Sequence, residues 1–321
     1  MRGGASAHVR ADVRHYRTRS RLARSARGLL LAAASILFLA YVLAPVAWLL
    51  SSSFQTEREI VSKPPHFLPH DPTLQNFRAI FAARDRRVTY ETRRAADPAT
   101  GGYIPSTASN LLPAAANSLI VACAVVLLNL IVGIPAAYAM AKIRFRGRQA
   151  SIYGILATRV IPDIALVVPF FLFIRNLGLL DSLSSLIITY LAVTVPFSVF
   201  ILVTYFEQLP DELDKAARVD GCSRWQTLTR VYLPLALPAL VAVVLFAFLA
   251  SWNEFLLALM FTQTPKSQTL PIIVASFTSD FTISFSFINA AGALAIVPPV
   301  ILAVAFERYI VSGLTAGAVK G

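Results

Sequence analysis

The sequence predicts an all-α membrane protein with six transmembrane helices and with both termini in the cytoplasm. The first observation is composition: 56% of the 321 residues are hydrophobic and 14% are charged, a balance typical of membrane proteins. The second is that six apolar segments reach or approach the roughly 20 residues that a helix needs to cross a bilayer. The third is that these hydrophobic runs do not alternate with polar residues as barrel strands do.

The predicted spans divide the chain into a tail, an isolated first helix, a long loop, a core domain and a second tail. The spans are 29–53, 114–141, 152–174, 183–206, 235–261 and 285–311. The segments are a basic tail (1–28), the first helix (29–53), an extracytoplasmic loop (54–113) with a polar insertion (84–110), a core transmembrane domain (114–312) and a tail (313–321). Pro298 and Pro299 are expected to break or kink the last span.

Lysine and arginine are concentrated on one side of the predicted bundle. The first tail carries eight arginines against one aspartate, and the segments 142–148 and 207–234 carry four basic residues each. The two short loops of the other side, 176–182 and 262–284, hold a single lysine. The positive-inside rule therefore places the basic segments and both termini in the cytoplasm.

The N-terminal arginines have a second possible interpretation, as a nucleic-acid-binding arm. Directly before a span their role is interpreted as topological, so no nucleic-acid partner is expected. The apolar run that follows them is longer than the core of a signal peptide, so a cleavable signal is not expected either.

The polar loop 207–234 begins with the pattern of a short amphipathic helix. Leu213, Ala216, Ala217 and Asp220 recur at i, i+3, i+4 and i+7, so they share one face. Gly221 is expected to end this helix, because glycine readily takes a positive φ. Two adjacent alanines on that face allow another protein surface to approach closely, which indicates docking rather than catalysis.

A second helical run, 224–232, then leads to the next span. The loop resembles the cytoplasmic EAA loop of ATP-binding-cassette importer permeases. The shared pattern is two alanines, then a glycine after three residues, then an aliphatic residue after nine more, and finally Leu-Pro after one more residue. Lys215 stands where that family has glutamate, so a salt link made through the glutamate is not expected here. The resemblance implies an ATPase-coupling role for Leu213, Lys215, Ala216, Ala217, Asp220, Gly221, Leu233 and Pro234.

The resemblance extends to the C-terminus and points to the carbohydrate branch, with its maltose-type second permease. The motif SWNEF at 251–255 and the ending GLTAGAVKG at 313–321 are similar to that branch. The resemblance implies a multi-pass inner-membrane permease subunit for a sugar or oligosaccharide. Its implied partners are a second permease, two ATPase subunits and an extracytoplasmic solute-binding protein. It also implies binding-protein contact near 278–284 and ATPase contact by the tail residues Thr315, Gly317 and Lys320.

Two pairs of polar residues lie within predicted spans. Arg159 and Asp163 are four residues apart and are expected to pair on one helical face; they either line a translocation path or fix helix packing, since intramembrane charge is costly. Asn253 and Glu254 either face a sugar path or accompany an interfacial tryptophan, Trp252.

The sequence contains no G-x-x-x-x-G-K-[ST] motif, so ATP hydrolysis is expected on a separate chain and this subunit is expected to be non-catalytic. No cofactor or metal site is predicted: His66 and His70 lie among prolines, and Cys123 and Cys222 lie at different depths. Two alternatives remain. A self-sufficient secondary transporter predicts inverted repeats, and an intramembrane enzyme requires a nucleophile near the buried charges.

Overall fold

Every regular element is helical over the residues that the structure describes, which are 5–82, 106–278 and 285–318 of a computed structural model. The helices are α1 (Ala5–Ser53), α2 (Glu57–Ile60), α3 (Gln75–Ala82), α4 (Leu111–Lys142), α5 (Arg148–Thr158), α6 (Asp163–Asn176), α7 (Leu183–Gln208), α8 (Glu212–Val219), α9 (Arg224–Thr227), α10 (Leu233–Leu235), α11 (Leu237–Trp252), α12 (Leu256–Phe261), α13 (Leu270–Ser276) and α14 (Phe285–Ala318). A 3-10 turn over Ser106–Asn110 precedes α4, and a π-helical turn over Leu228–Tyr232 joins α9 to α10.

Four helical segments are long and apolar enough to cross a membrane. They are Arg27–Ser53, Thr107–Lys142, Leu183–Gln208 and Phe285–Tyr309. Two bent pairs meet the same test when each is taken together: α5 with α6, bent by 96°, and the run from α9 to α10 with α11, bent by 82°. The predicted class of all-α membrane protein is therefore confirmed, with four to six candidate spans.

The first helix includes the basic segment that precedes the first span. α1 runs from Ala5 to Ser53 without interruption, through Pro45, so these arginines do not form a separate tail within the described residues. Alanine and arginine, which dominate this segment, favour helix. Near its end α1 packs closely on α14: a Cβ atom on Gly292 would lie 3.1 Å from Leu49 Cδ1, so a larger residue there would require the Leu49 side chain to shift.

The loop after α1 is held by polar contacts at both ends. The Asn76 side chain in α3 donates to the carbonyls of Ser53 (2.9 Å) and Gln55 (3.0 Å). The Glu57 carboxylate accepts the amides of Phe285 (3.0 Å) and Ser286 (2.9 Å). A carboxylate at these first amides stabilises the N-terminus of α14.

The predicted insertion 84–110 falls mostly outside the described residues. Its last part, Ser106–Asn110, is a packed 3-10 turn, in which Ala108 is buried and the hydroxyls of Thr107 and Ser276 lie 2.9 Å apart. The membrane helix that follows begins at Leu111 rather than at residue 114.

The core of the bundle is formed by α4, α7 and α11. Deep in the core, the Asn129 side chain of α4 donates to Thr194 Oγ1 of α7 at 2.7 Å. Next to this pair, Gly133 approaches Val199 and Leu202 of α7. α4 and α7 run in the same direction, so their C-terminal ends meet at one end of the bundle.

The third and fifth predicted spans are interrupted. α5 ends at Thr158 and α6 starts at Asp163, after a sharp turn that ends at Pro162. Proline disfavours helical geometry in the residue before it and cannot donate a backbone hydrogen bond. The fifth span breaks between Trp252 and Leu256. The prediction of continuous helices over 152–174 and 235–261 is therefore wrong.

The last helix is more regular than predicted. α14 passes through Pro298 and Pro299 without a break and continues to Ala318, so the expected interruption does not occur. The predicted tail over 313–321 is therefore helical as far as Ala318, and residues 319–321 lie outside the described part.

Candidate functional site

α8 ends in a tight turn that joins it to α9. The Cys222 amide donates to the Ala217 carbonyl (2.9 Å), and the Gly221 amide donates to the Arg218 carbonyl (3.1 Å). Gly221 has a φ of 78°. These bonds form a Schellman motif, in which glycine is the usual left-handed residue. The prediction that Gly221 ends the amphipathic helix is confirmed.

A reciprocal cap fixes the start of α9. Ser223 Oγ accepts the Gln226 amide (3.3 Å), and Gln226 Oε1 accepts the Ser223 amide (2.8 Å), which together form a capping box. The predicted second helical run is therefore present. It widens into a π-helical turn, Leu228–Tyr232, before Pro234, whose nitrogen carries no hydrogen to donate.

Lys142, the last residue of α4, anchors this segment to the bundle. Its Nζ donates to the Leu209 carbonyl (2.7 Å) and to Asp211 Oδ1 (2.8 Å), and its side chain is only 5% exposed. The hydrogen bond from Lys142 lowers the pKa of Asp211. Sequence reasoning gave Lys142 a topological role alone, because nothing in its neighbourhood along the chain indicates a contact with residues 67 and 69 positions away.

A second polar link fastens the middle of α8. Asp214 accepts the Tyr138 hydroxyl at 3.2 Å and pairs with Arg218 at 2.7 Å. Tyr138 in turn packs edge-on against Phe206 and Tyr232 at the ends of α7 and the π-helical turn. The Tyr138 hydroxyl thus links α8 to an aromatic cluster that joins the ends of α4, α7 and the π-helical turn.

α8 turns its small-residue side toward the bundle. Ala217 is 5% exposed, so the expectation that a partner approaches both alanines of the predicted face is wrong for Ala217, although Ala216 is exposed. On the opposite side of α8, Lys215 is exposed, and Val219 is 87% exposed. The outward surface of α8 is therefore defined by Lys215 and Val219, which lie one helical turn apart.

A cavity of about 420 Å³ lies between α8, the start of α9 and the end of α4. Its charged lining residues are Lys142, Arg144, Arg148, Lys215, Arg218, Arg224, Asp211 and Asp214. Lys142 pairs with Asp211, Arg218 pairs with Asp214, and Arg148 pairs with Glu207 at 2.6 Å. The remaining charged residues of the lining, Arg144, Lys215 and Arg224, are all positive.

Arg159 and Asp163 lie at the break of the third span. Arg159 Nη1 donates to the Val193 carbonyl at 2.9 Å, and Asp163 is the first residue of α6. Among the residues that the structure describes, no ion pair joins them. The predicted pairing is wrong, because the helix that they were expected to share ends between them. An aspartate in the first turn of α6 instead complements the helix dipole.

Asn253 and Glu254 lie at the break of the fifth span. Glu254 accepts the amides of Leu257 (2.7 Å) and Ala258 (3.0 Å), and it accepts the Tyr190 hydroxyl at 2.6 Å. Glu254 thus caps α12 and links it to α7. The Asn253 side chain donates to the Leu249 carbonyl at 3.0 Å and is exposed. The Glu254 carboxylate therefore caps the helix that follows the break, and this role was not predicted from the sequence.

Replacement of Glu254 by alanine is expected to destabilise the protein by about 1–2 kcal/mol, because it removes a helix cap and leaves the partly buried Tyr190 hydroxyl without its acceptor. Tyr190→Phe is the matched control, since it removes the hydroxyl and keeps the cap, and we expect a smaller loss. Thermal unfolding in detergent measures both. Equal losses would show that the cap contributes nothing.

Asp181 organises the opposite end of the bundle. Its carboxylate accepts the amides of Gln263 (2.8 Å) and Thr264 (3.0 Å) and the hydroxyls of Thr264 (2.7 Å) and Ser267. Its own amide donates to the Phe261 carbonyl at 2.8 Å. The loop before α7 is thereby clamped to the loop after α12. Sequence reasoning missed this residue, whose signal is a lone acid between two apolar segments.

The hydrogen bond from Ser267, followed by those from Thr264 and Gln263, holds the pKa of Asp181 well below its ordinary value. A lowered folded-state pKa stabilises the clamp at every pH above the ordinary aspartate value of about 4, and this stabilisation is lost as the pH falls below it. We expect protease sensitivity of the 262–269 loop to rise only under such acid conditions, and to be high at neutral pH in Asp181→Ala. A wild-type loop that opens between pH 6 and 5 would contradict this.

The remaining predicted contacts lie at the edge of the described part. Thr315 and Gly317 belong to α14, and Lys320 lies outside the described residues. Of the predicted binding-protein contact at 278–284, Thr278 follows α13 and residues 279–284 lie outside the described part.

A sequence profile of the family "Binding-protein-dependent transport system inner membrane component" matches residues 129–315. This range begins within α4, at Asn129, and covers everything that follows as far as the last turn of α14, including the α8–α9 segment.

The chain is also similar to characterised permease proteins. It is 36% identical, over 91% of this chain and 97% of the relative, to the trehalose/maltose transport system permease protein MalG of Thermococcus litoralis. It is 35% identical, over 90% and 92%, to the sulfoquinovosyl glycerol transport system permease protein SmoH of Agrobacterium fabrum. It is 33% identical, over 90% and 95%, to the diacetylchitobiose uptake system permease protein DasC of Streptomyces coelicolor.

Among solved structures, the fold is similar to a chain of a bacterial ABC transporter involved in the import of the acidic polysaccharide alginate. The TM-score is 0.68 with 23% identity, and the match covers 88% of this chain and 96% of that chain. This likeness confirms the fold.

Proposed function

The chain belongs to the family of binding-protein-dependent transport system inner membrane components and is a multi-pass inner-membrane permease, and we propose that the solute it imports is a sugar or oligosaccharide. The support comes from the relatives named above, whose names all specify a solute that contains a sugar unit. We propose an ATP-driven assembly in which this chain, a second permease, two ATPase subunits and an extracytoplasmic binding protein act together, with no catalytic role for this chain.

Six spans with both termini in the cytoplasm are the topology that we propose. The bent pair α5 and α6 then crosses the membrane as one broken span and α11 with α12 as another, and the basic segments 142–148 and 207–234 lie on the cytoplasmic side, as the positive-inside rule requires. Residues 54–113 form an extracytoplasmic loop, and residues 114–312 form the core permease domain, preceded by the segment 1–53 and followed by the short end 313–321. The Asp181 clamp then lies outside.

The anchoring of α8 is the observation that carries the coupling mechanism. Lys142 and Asp214 fasten α8 to the ends of α4 and α7, so a push on α8 moves these helices as a unit. Closure of the ATPase dimer is proposed to supply this push through Lys215, Ala216 and the turn at Gly221. The buried Ala217 and the partly buried Leu213 and Leu233 serve as internal supports, and the exposed Pro234 begins the connection to the next span.

Movement of α4 and α7 reaches both helix breaks. Arg159 bonds to Val193 of α7, and Glu254 bonds to Tyr190 of α7. Both breaks are therefore tied to the helix that α8 moves. We propose that the breaks, with Arg159, Asp163, Asn253 and Glu254, border the translocation path and shift as access alternates between the two sides. The C-terminal residues Thr315, Gly317 and Lys320 are proposed to contact the ATPase.

Crosslinking from Cys222, the partly exposed residue after Gly221, tests this proposal. The chain is purified from its own membranes in mild detergent and treated with a short thiol-to-amine crosslinker, with Cys222→Ser as the control. We expect attachment of a protein with a Walker motif, and uptake in vesicles that requires ATP. A chain that crosslinks only to itself and transports without ATP would indicate a secondary transporter. The co-purifying binding protein would then be tested for sugar binding.

A further inference from the structure

The cavity beside α8 is lined by more cations than carboxylates. Of the cations that line the adjoining cavity, Lys142, Arg148 and Arg218 have carboxylate partners. Among the described residues, Arg144, Lys215 and Arg224 form no ion pair, and the two lining carboxylates are already engaged. Three of the cations that border the cavity therefore have no salt-bridge partner among the described residues.

Exposed apolar side chains accompany these cations. Val219 is 87% exposed, and Trp225, next to Arg224, is 64% exposed. Val219 and Lys215 lie on the side of α8 opposite the buried Ala217, and the Lys215 side chain also borders the cavity. The exposed Trp225 beside Arg224 suits the centre of a protein interface, where tryptophan and arginine are enriched.

We propose that the ATPase surface that receives α8 presents an aspartate or glutamate side chain to Lys215, beside an apolar depression for Val219. This inference rests on the proposed function and specifies the chemistry of the partner. The EAA pattern has a glutamate at the position of Lys215, so this chain presents the opposite charge at the centre of the contact. A partner with a basic residue at that point would be repelled, and electrostatic complementarity therefore selects the ATPase that this permease accepts.

A zero-length carbodiimide crosslinker tests the contact, because it joins a lysine amine to a carboxylate only when the two groups touch. The assembled transporter is treated in detergent, and the peptide bound to Lys215 is identified by mass spectrometry. We expect an aspartate or glutamate of the ATPase. Lys215→Arg is the matched control, since arginine keeps the charge but is not coupled by the reagent; uptake is expected to persist and the crosslink to disappear.

Charge reversal provides a functional readout. Lys215→Glu is expected to lower ATP-driven uptake about tenfold or more, since like charges in an interface cost several kcal/mol. Replacement of the crosslinked ATPase carboxylate by lysine is expected to restore uptake in the Lys215→Glu background and to impair it with the wild-type permease.

The outcomes separate this inference from the function it rests on. An ATPase attached at Cys222, with no carboxylate attached at Lys215 and normal uptake in Lys215→Glu, overturns the acidic contact and leaves the importer intact. No ATPase at either position overturns the proposed function itself. Uptake that depends on anionic lipid in wild-type vesicles, and loses that dependence in Lys215→Glu, would assign Lys215 to a lipid headgroup instead.

Discussion

Gly221→Val is expected to lower ATP-driven uptake about tenfold or more while the variant still inserts into the membrane. Gly221 has a φ of 78° and closes the Schellman motif at the end of α8. A β-branched residue in this conformation costs about 1–3 kcal/mol. No described atom lies within 4 Å of a Cβ atom built there, so backbone strain is the direct effect, and the turn between α8 and α9 changes shape.

Gly178→Val is the matched control for this prediction. Gly178 has a φ of 69° and equal space around a built Cβ atom among the described residues, but it lies at the other end of the bundle, close to Asp181. Both variants therefore carry similar strain at different ends. Vesicle uptake and ATPase activity measure the outcome: Gly221→Val should hydrolyse ATP without transport, whereas Gly178→Val should retain coupling. Equal losses would assign the effect to stability.

Lys142→Met is expected to give the second large effect, a loss of coupling in a protein that still assembles. The variant leaves the Leu209 carbonyl and Asp211 without their shared donor. A hydrogen bond from a charged donor contributes about 1.5–3 kcal/mol, so the equilibrium constant for attachment of α8 to the bundle should fall about tenfold or more. Cysteine accessibility at Cys222 and vesicle uptake measure the detachment and its consequence.

Asp211→Asn separates the two bonds that Lys142 makes. The Asp211 side chain is 70% exposed, whereas that of Lys142 is 5% exposed, so the exposed ion pair contributes little and the bond to the Leu209 carbonyl matters more. Asp211→Asn should therefore transport nearly as well as the wild type. If Asp211→Asn fails as completely as Lys142→Met, the ion pair rather than the carbonyl contact attaches α8.

The features that the sequence predicted correctly are those with local signals. Composition and apolar run length predicted the membrane class, and the amphipathic pattern with Gly221 predicted a helix that ends in a left-handed turn. The face of α8 could not be predicted in the same way. Periodicity groups Leu213 with Ala217, but whether that face meets the bundle or a partner depends on Tyr138 and Lys142, which lie on another helix.

The interrupted spans show that the length of an apolar segment does not predict whether its helix is continuous. Residues 152–174 and 235–261 are apolar enough to cross a membrane, and hydropathy does not distinguish a straight helix from a broken one. The signals were present as Pro162 after Arg159 and as the polar pair Asn253 and Glu254. A break is stable at these positions because residues of α7 supply hydrogen-bond partners for Arg159 and Glu254. Those partners lie far away along the chain, so the sequence of the span alone does not reveal them.

The break at 159–162 also bears on how this subunit meets its lipid surroundings. The whole stretch 157–165 is exposed in the isolated chain, and Val160 is 83% exposed. In the proposed topology it lies within a span, where backbone groups outside a helix are not tolerated against hydrocarbon. This flank must therefore be sealed by protein or open to water, whereas the apolar exterior of α1 from Leu29 to Leu43 suits acyl chains. In the proposed assembly, annular lipid is expected to contact α1, and the side that bears the break is expected to face a partner subunit or water.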